Sequence, residues 1–101
     1  MKLIRDFVPR IIEESGRRAV YHIVRDRTEH LSRLRDKVVE ELQEFTEEPC
    51  LEEAADLYEV LLTLVELHDM DMNDVVATAQ DKRKRCGGFR GGAVLVEVTD
   101  E

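Results

Sequence analysis

The chain has 101 residues, of which 43% are hydrophobic and 38% charged, and its net charge is -8. This composition is typical of one small globular domain, residues 1–101, and argues against a disordered chain. The acidity argues against general affinity for nucleic-acid polymers. No run approaches the ~18 apolar residues of a membrane span, and the charged N-terminus lacks the apolar run of a signal peptide. We therefore expect a soluble, cytoplasmic protein with no membrane partner.

The N-terminal quarter predicts short elements. Residues 5–15 are expected to form a helix, because Pro9 suits a first helical turn and Gly16 suits a stop. Residues 19–24 are β-branched and aromatic, which favours a short strand. A second strand is predicted at residues 93–98 and is a candidate partner for the first.

Three longer helices follow in chain order. The first runs from about Thr28, its candidate cap, to Glu47, and Pro49 ends it. The second spans about residues 51–68 and the third residues 72–84, with Asp71 or Asn73 as cap and Gly87 as stop. The predicted apolar stripes are Leu31, Leu34, Val38, Leu42 and Phe45 on the first helix, and Ala54, Leu57, Leu61, Leu64 and His68 on the second. The second stripe is widened by Val60, Leu62 and Val65.

The acidity is concentrated in one stretch. Nine of the 23 acids lie between residues 40 and 59, where no Lys or Arg occurs, so the other acids and the 15 bases nearly balance. The negative charge therefore surrounds a single helix–helix connection, and it points to cations as ligands.

Four of these acids are expected at matching heights on two antiparallel helices. Glu44 lies about one turn before the Pro49 break and Glu53 about one turn after it; Glu41 and Asp56 lie one turn further along each helix. Helix axes pack ~8–10 Å apart, a gap that carboxylates can bridge through one or two ions. Carboxylates at the border of an apolar seam are costly when unpaired, and Mg²⁺ or Mn²⁺ would relieve that cost. The alternative is a solvated acidic surface without a metal.

The motifs resemble those of the MazG-like superfamily of all-α nucleoside triphosphate pyrophosphohydrolases, above all its small phosphoribosyl-ATP pyrophosphohydrolase-like members. The resemblance lies in EExxE, residues 40–44, followed by ExxD, residues 53–56. It extends to an opening KLxRDxxP segment, residues 2–9, and a closing GGF segment, residues 87–89. It thus covers nearly the whole chain in order.

The resemblance implies an all-α helical bundle, with short extended N- and C-terminal segments, that assembles as a dimer or tetramer. It implies Mg²⁺-dependent hydrolysis of a nucleoside triphosphate to the monophosphate and pyrophosphate. The implied metal ligands are Glu41, Glu44, Glu53 and Asp56, and Glu40, with Glu41, would orient or activate water. The implied substrate-binding residues are Lys2, Arg5, Asp6, Lys82 and Arg83.

Two features depart from the family pattern. Only eight residues separate Glu44 from Glu53, fewer than is usual, and Cys86 stands before GGF where arginine is common. These departures favour a runner-up reading, a non-catalytic metal- or nucleotide-binding helical module with a regulatory role. A third reading is a plain helical oligomer whose acidic hairpin promotes solubility.

Overall fold

The computed structural model describes residues 1–100, and it is all-α. Four helices follow one another along the chain: α1 (Val8–Glu14), α2 (Arg27–Glu47), α3 (Leu51–Leu67) and α4 (Met72–Cys86). None of these helices is long and apolar enough to cross a membrane. The chain divides into two compact units, Met1–Asp69 and the residues from Met70 onward. The predicted fold class is therefore confirmed, and the single domain stays a prediction.

The two expected strands are absent from residues 1–100. Residues 19–24 and 93–98 have no regular secondary structure. Val20 and Ile23 are 87% and 78% exposed, and Val94 and Val96 are 86% and 91% exposed. The strand predictions were wrong because β-propensity measures how well a side chain packs on a sheet, and here neither segment has a partner to build one.

Helix α1 is shorter than predicted. It begins at Val8, with Pro9 in its first turn, and ends before Ser15. Residues 6 and 7 form a turn that precedes it. Gly16 follows the helix with a φ of +87°, a left-handed conformation that favours glycine. The stop was therefore predicted correctly, while the start was placed too early.

Helix α2 begins one residue before the predicted start. Its cap is Asp26, not Thr28: the Asp26 Oδ1 atom accepts a hydrogen bond from the backbone N–H of Glu29 at 2.9 Å. The Glu29 side chain reaches back and accepts from the N–H of Arg25 at 2.8 Å. This reciprocal arrangement resembles a capping box and satisfies backbone donors that the first turn leaves free.

Helices α2 and α3 pack against each other and form an antiparallel hairpin. The connection is short, because α2 ends at Glu47 and α3 begins at Leu51. Among residues 1–100 the buried hydrophobic side chains outside prolines are Leu34, Val60 and Val65, all on these two helices. The core is therefore thin and lies along the seam of the hairpin.

The buried face of the hairpin differs from the predicted stripes at three positions, Leu42, Leu61 and His68, all of which are exposed. Leu42 is 51% exposed and Leu61 is 48% exposed, although both were assigned to the seam. Val60 and Val65, which were expected to widen the apolar stripe of the second helix, are buried. A helix presents a broad apolar arc when its sequence is apolar on several sides, so the partner decides which part of that arc is covered.

Helix α4 belongs to the second unit. Its cap is Asp71, one of the two predicted candidates, which accepts from the N–H of Asn73 at 2.8 Å. The helix continues to Cys86, two residues beyond the predicted end, and Gly87 follows with a φ of +81°. The basic residues of its last turn, which include Arg83 and Lys84, suit the negative end of the helix dipole.

Candidate metal centre

Three carboxylates converge on the hairpin. Glu41 of α2 and Glu53 and Asp56 of α3 each offer one oxygen, and these oxygens all lie within 4.8 Å of one another. Glu53 and Asp56 share a helix face because they are three residues apart. Since the short connection at Pro49 aligns both helices at this height, the prediction that four acids meet across the hairpin is confirmed for these three but not for Glu44. We call these three residues the carboxylate cluster.

Two oxygens of the cluster are buried without a partner. Glu41 is only 5% exposed. Its Oε2 atom and the Oε2 atom of Glu53 have no hydrogen-bond partner among residues 1–100. An unpaired buried carboxylate oxygen is costly, and the cost is removed by a proton or a cation. Three carboxylates with two free oxygens are the donor set that hard divalent cations take, so the residues fit such an ion.

Burial favours protonation of the cluster. It raises the pKa of Glu41, and the charges of Glu44 and Asp56 raise it further, while the Lys37 ammonium opposes them. Burial also raises the pKa of Glu53, with contributions from the charges of Asp56, Glu41 and Glu48. In both groups the protonated form is therefore more favoured than in a free glutamate.

Basic side chains frame the cluster on one side. Lys37 Nζ lies 3.2 Å from Glu41 Oε1 and 3.1 Å from Glu40 Oε2. Lys2 Nζ lies 3.1 Å from Glu40 Oε1. Burial pushes the pKa of Glu40 upward, but its hydrogen bonds with the two lysines outweigh that effect and lower the pKa overall. Glu40 is thus ionised more readily than a free glutamate, whereas Glu41 and Glu53 are ionised less readily.

The N-terminal segment brings a further cation to the cluster. Arg5 Nη2 lies 2.7 Å from Asp56 Oδ1, across 51 positions of sequence. No basic residue lies within one helical turn of Asp56, so the sequence pattern missed this partner. The opening motif therefore places Lys2 and Arg5 beside the acids.

Besides Glu40, Lys2 and Arg5, four more predicted site residues lie outside the carboxylate cluster. Glu44 is half-buried on α2, close enough for its charge to raise the pKa of Glu41, but it is not one of the three converging carboxylates. Asp6 is exposed in the turn before α1. Lys82 and Arg83 are exposed on α4, in the second unit, so their relation to the cluster stays a prediction.

Comparison with known proteins identifies no relative. No family model matches the chain, and neither a curated protein nor a solved structure does. The site is therefore described by its own geometry: three converging carboxylates beside an N-terminal segment that bears Lys2 and Arg5.

Proposed function

We propose that this protein hydrolyses a nucleoside triphosphate, or a related nucleotide, to the monophosphate and pyrophosphate with the help of Mg²⁺ or Mn²⁺. The observation that carries the proposal is the carboxylate cluster, whose oxygens lie within 4.8 Å and include two buried oxygens without a partner. The resemblance of the motifs to MazG-like pyrophosphohydrolases supports the same reaction.

Glu41, Glu53 and Asp56 would hold the metal, with Glu44 as a fourth ligand from the same face of α2. When bound, the metal supplies positive charge for the phosphate oxygens and lowers the pKa of coordinated water. The cluster needs this charge because an acidic surface by itself repels a triphosphate.

The chain's own cations would bind the phosphates. Arg5 pairs with Asp56 and lies on an exposed segment, with 57% of its side chain accessible. A guanidinium binds phosphate through two parallel hydrogen bonds, so Arg5 can exchange a carboxylate for a substrate phosphate. Lys2 stands beside Glu40 and is equally accessible, with 64% of its side chain exposed. The hydrogen bond to Glu40 raises the pKa of Lys2, which keeps it charged.

Glu40 would accept the proton in the reaction. Its lowered pKa keeps it ionised at neutral pH, and it neighbours the ligand Glu41. Water attacks the α-phosphorus in line, the bond from that phosphorus to the bridging oxygen breaks, and pyrophosphate leaves while the water proton passes to Glu40. Positive side chains, among which we expect Lys82 and Arg83, would neutralise the leaving group.

A second candidate is a non-catalytic module that binds a metal or nucleotide. The observation in its favour is that two of the cluster's acids already have basic partners, Lys37 for Glu41 and Arg5 for Asp56. Such pairing lowers the need for a cation without abolishing it, because the buried Oε2 atoms of Glu41 and Glu53 stay unpartnered.

The test is pyrophosphate release from a panel of ribo- and deoxyribonucleoside triphosphates in Mg²⁺, Mn²⁺ or EDTA. We expect metal-dependent release that Glu53→Gln reduces at least a hundredfold while the variant melts no lower than wild type, because the amide removes a buried unpaired charge. Glu52→Gln is the matched control, since Glu52 is an exposed neighbour on the same helix.

The outcomes separate the candidates. Release that persists in EDTA or in Glu53→Gln would contradict the proposed site. No release from any nucleotide, with Mg²⁺ still raising the melting temperature of wild type but not of Glu53→Gln, would favour the non-catalytic module. If Mg²⁺ has no effect on the melting temperature, the result favours the third interpretation, a plain helical oligomer that binds no metal.

A further inference from the structure

A solvent-open cavity of about 520 Å³ lies in the first unit. Its walls come from the N-terminal segment, α1, residues 18–24 and the first half of α2. This volume lies within the range of small-molecule sites, which are mostly apolar with a few converging polar groups. The segment that was expected to be a strand is therefore one wall of a cavity.

The walls suit a flat heterocyclic ring. Their apolar part includes Ile4, Pro9, Ile12 and Val24, and their polar part is Tyr21, His22, His30, Arg33, Arg18, Lys2 and Asp6. Aliphatic walls accept the faces of a ring, and imidazole and guanidinium groups can bond to its edge.

Arg33 is the best-placed donor in the cavity. Only 25% of its side chain is exposed, and its Nη2 atom lies 3.6 Å from Glu29 Oε2. That distance exceeds a hydrogen bond, so Glu29 holds the guanidinium near it by charge and leaves its N–H groups free to bond to a ligand. Glu29 also lies 3.8 Å from the ring nitrogen of His22, and so it positions two polar groups of the cavity.

The link from the cavity toward the carboxylate cluster is Lys2. This residue lines the cavity, and its Nζ atom contacts Glu40, the chain neighbour of Glu41. A ligand with phosphates at the cluster can therefore extend its other end past Lys2 into the cavity. A nucleotide has this shape and this division into an anionic end and a ring.

We propose that the cavity binds the base of the nucleotide and prefers a purine with a carbonyl at its 6-position. This inference rests on the proposed function for the phosphates. Arginine bonds the carbonyl oxygen and ring nitrogen of such a purine through two N–H groups, whereas a 6-aminopurine is matched by Asn or Gln. The lining residues include neither Asn nor Gln. Asp6 adds an acceptor for the ring N–H that accompanies the carbonyl.

Binding of GMP and AMP to the full chain, followed by NMR titration with and without Mg²⁺, tests the proposal without requiring turnover. We expect GMP to shift the signals of Tyr21, His22 and His30 and to bind roughly tenfold more tightly than AMP. Arg33→Met should weaken GMP binding by roughly tenfold and remove most of the preference. Arg25→Met is the matched control, because Arg25 also lies 3.6 Å from Glu29 but does not line the cavity.

Each result supports or overturns the proposal separately from the hydrolase activity. GMP shifts in the cavity with selective loss in Arg33→Met support it even in a protein that releases no pyrophosphate. Metal-dependent hydrolysis without cavity shifts overturns it and leaves the hydrolase intact. Equal binding of GMP and AMP, or equal effects of Arg33→Met and Arg25→Met, overturns the base preference.

Discussion

Glu41 and Glu53 place unpaired carboxylate oxygens inside the hairpin, and this arrangement has a thermodynamic consequence. Both groups have a pKa in the folded chain above the ordinary value of 4.5. At pH values between the ordinary pKa and the raised pKa, the folded state binds more protons than the unfolded state. Stability therefore falls as pH rises through this window, which is opposite to the usual behaviour of a salt-bridged carboxylate.

A divalent cation should reverse this pH dependence. Since metal competes with protons for the same oxygens, we expect the Mg²⁺-induced rise in melting temperature to be small near pH ~5 and to grow toward pH ~8. Melting curves in EDTA and in Mg²⁺ across this range check the expectation.

The control for this prediction is the Glu41→Gln/Glu53→Gln double variant. Glu29 and Glu40 have lowered pKa values and gain stability as pH rises, so only the difference between wild type and the double variant isolates the cluster. In EDTA that difference should widen in favour of the double variant as pH rises. A difference that does not change with pH would contradict the assignment.

At the scale of the element, α2 carries Glu40 and Glu41, and its first turn is held by the pair Asp26 and Glu29. Asp26 accepts from the Glu29 N–H, and Glu29 accepts from the Arg25 N–H. Because α2 also contributes Leu34 to the thin core, the cap stabilises both the helix and the seam.

Loss of this cap should be measurable. We expect Asp26→Ala to lower the free energy of unfolding by about 1 kcal/mol, since the variant leaves the Glu29 N–H without its acceptor. Denaturant unfolding followed by circular dichroism is the measurement. Asp36→Ala is the control, because Asp36 is an exposed aspartate further along α2; equal losses in the two variants would show that the effect is not capping.

Across the first unit as a whole, the hairpin leaves large apolar side chains in solvent. Val39, Leu42, Tyr58 and Leu61 are each between 48% and 62% exposed. At ~100° per residue, they point at least about 100° away from Glu41 on α2 and from Asp56 on α3. Exposed apolar groups on a helix pair are typical of interfaces, so we expect these exposed surfaces of α2 and α3 to bind a second copy of the chain.

The oligomeric state tests this proposal. We expect wild type to sediment as a dimer or tetramer and Leu42→Glu/Leu61→Glu to sediment as a smaller species with its helix content retained, because buried glutamates oppose association. Ile11→Glu, which changes an exposed residue of α1, should leave the mass unchanged. A wild-type protein that sediments as a monomer would contradict the proposal.

Local chemistry explains what could be predicted from the sequence. Pro49, Asp71 and Gly87 mark helix boundaries through their own backbone preferences, which act over a few residues. The juxtaposition of Glu41 with Glu53 and Asp56 was predictable for a related reason: a short connection and a constant helical rise determine which residues of a hairpin stand level. The accumulation of nine acids beside that connection predicts a cation site, and cation binding stays a prediction.

Tertiary structure decided the rest. The contact of Arg5 with Asp56 spans 51 positions and that of Lys2 with Glu40 spans 38, and no local pattern encodes which distant cation reaches a given acid. The exposure of Leu42 and Leu61 depended on where the partner helix lay within a broad apolar arc. Residues 19–24 line a cavity. They form no strand because residues 1–100 contain no other strand to complete a sheet, and β-propensity alone cannot supply that partner.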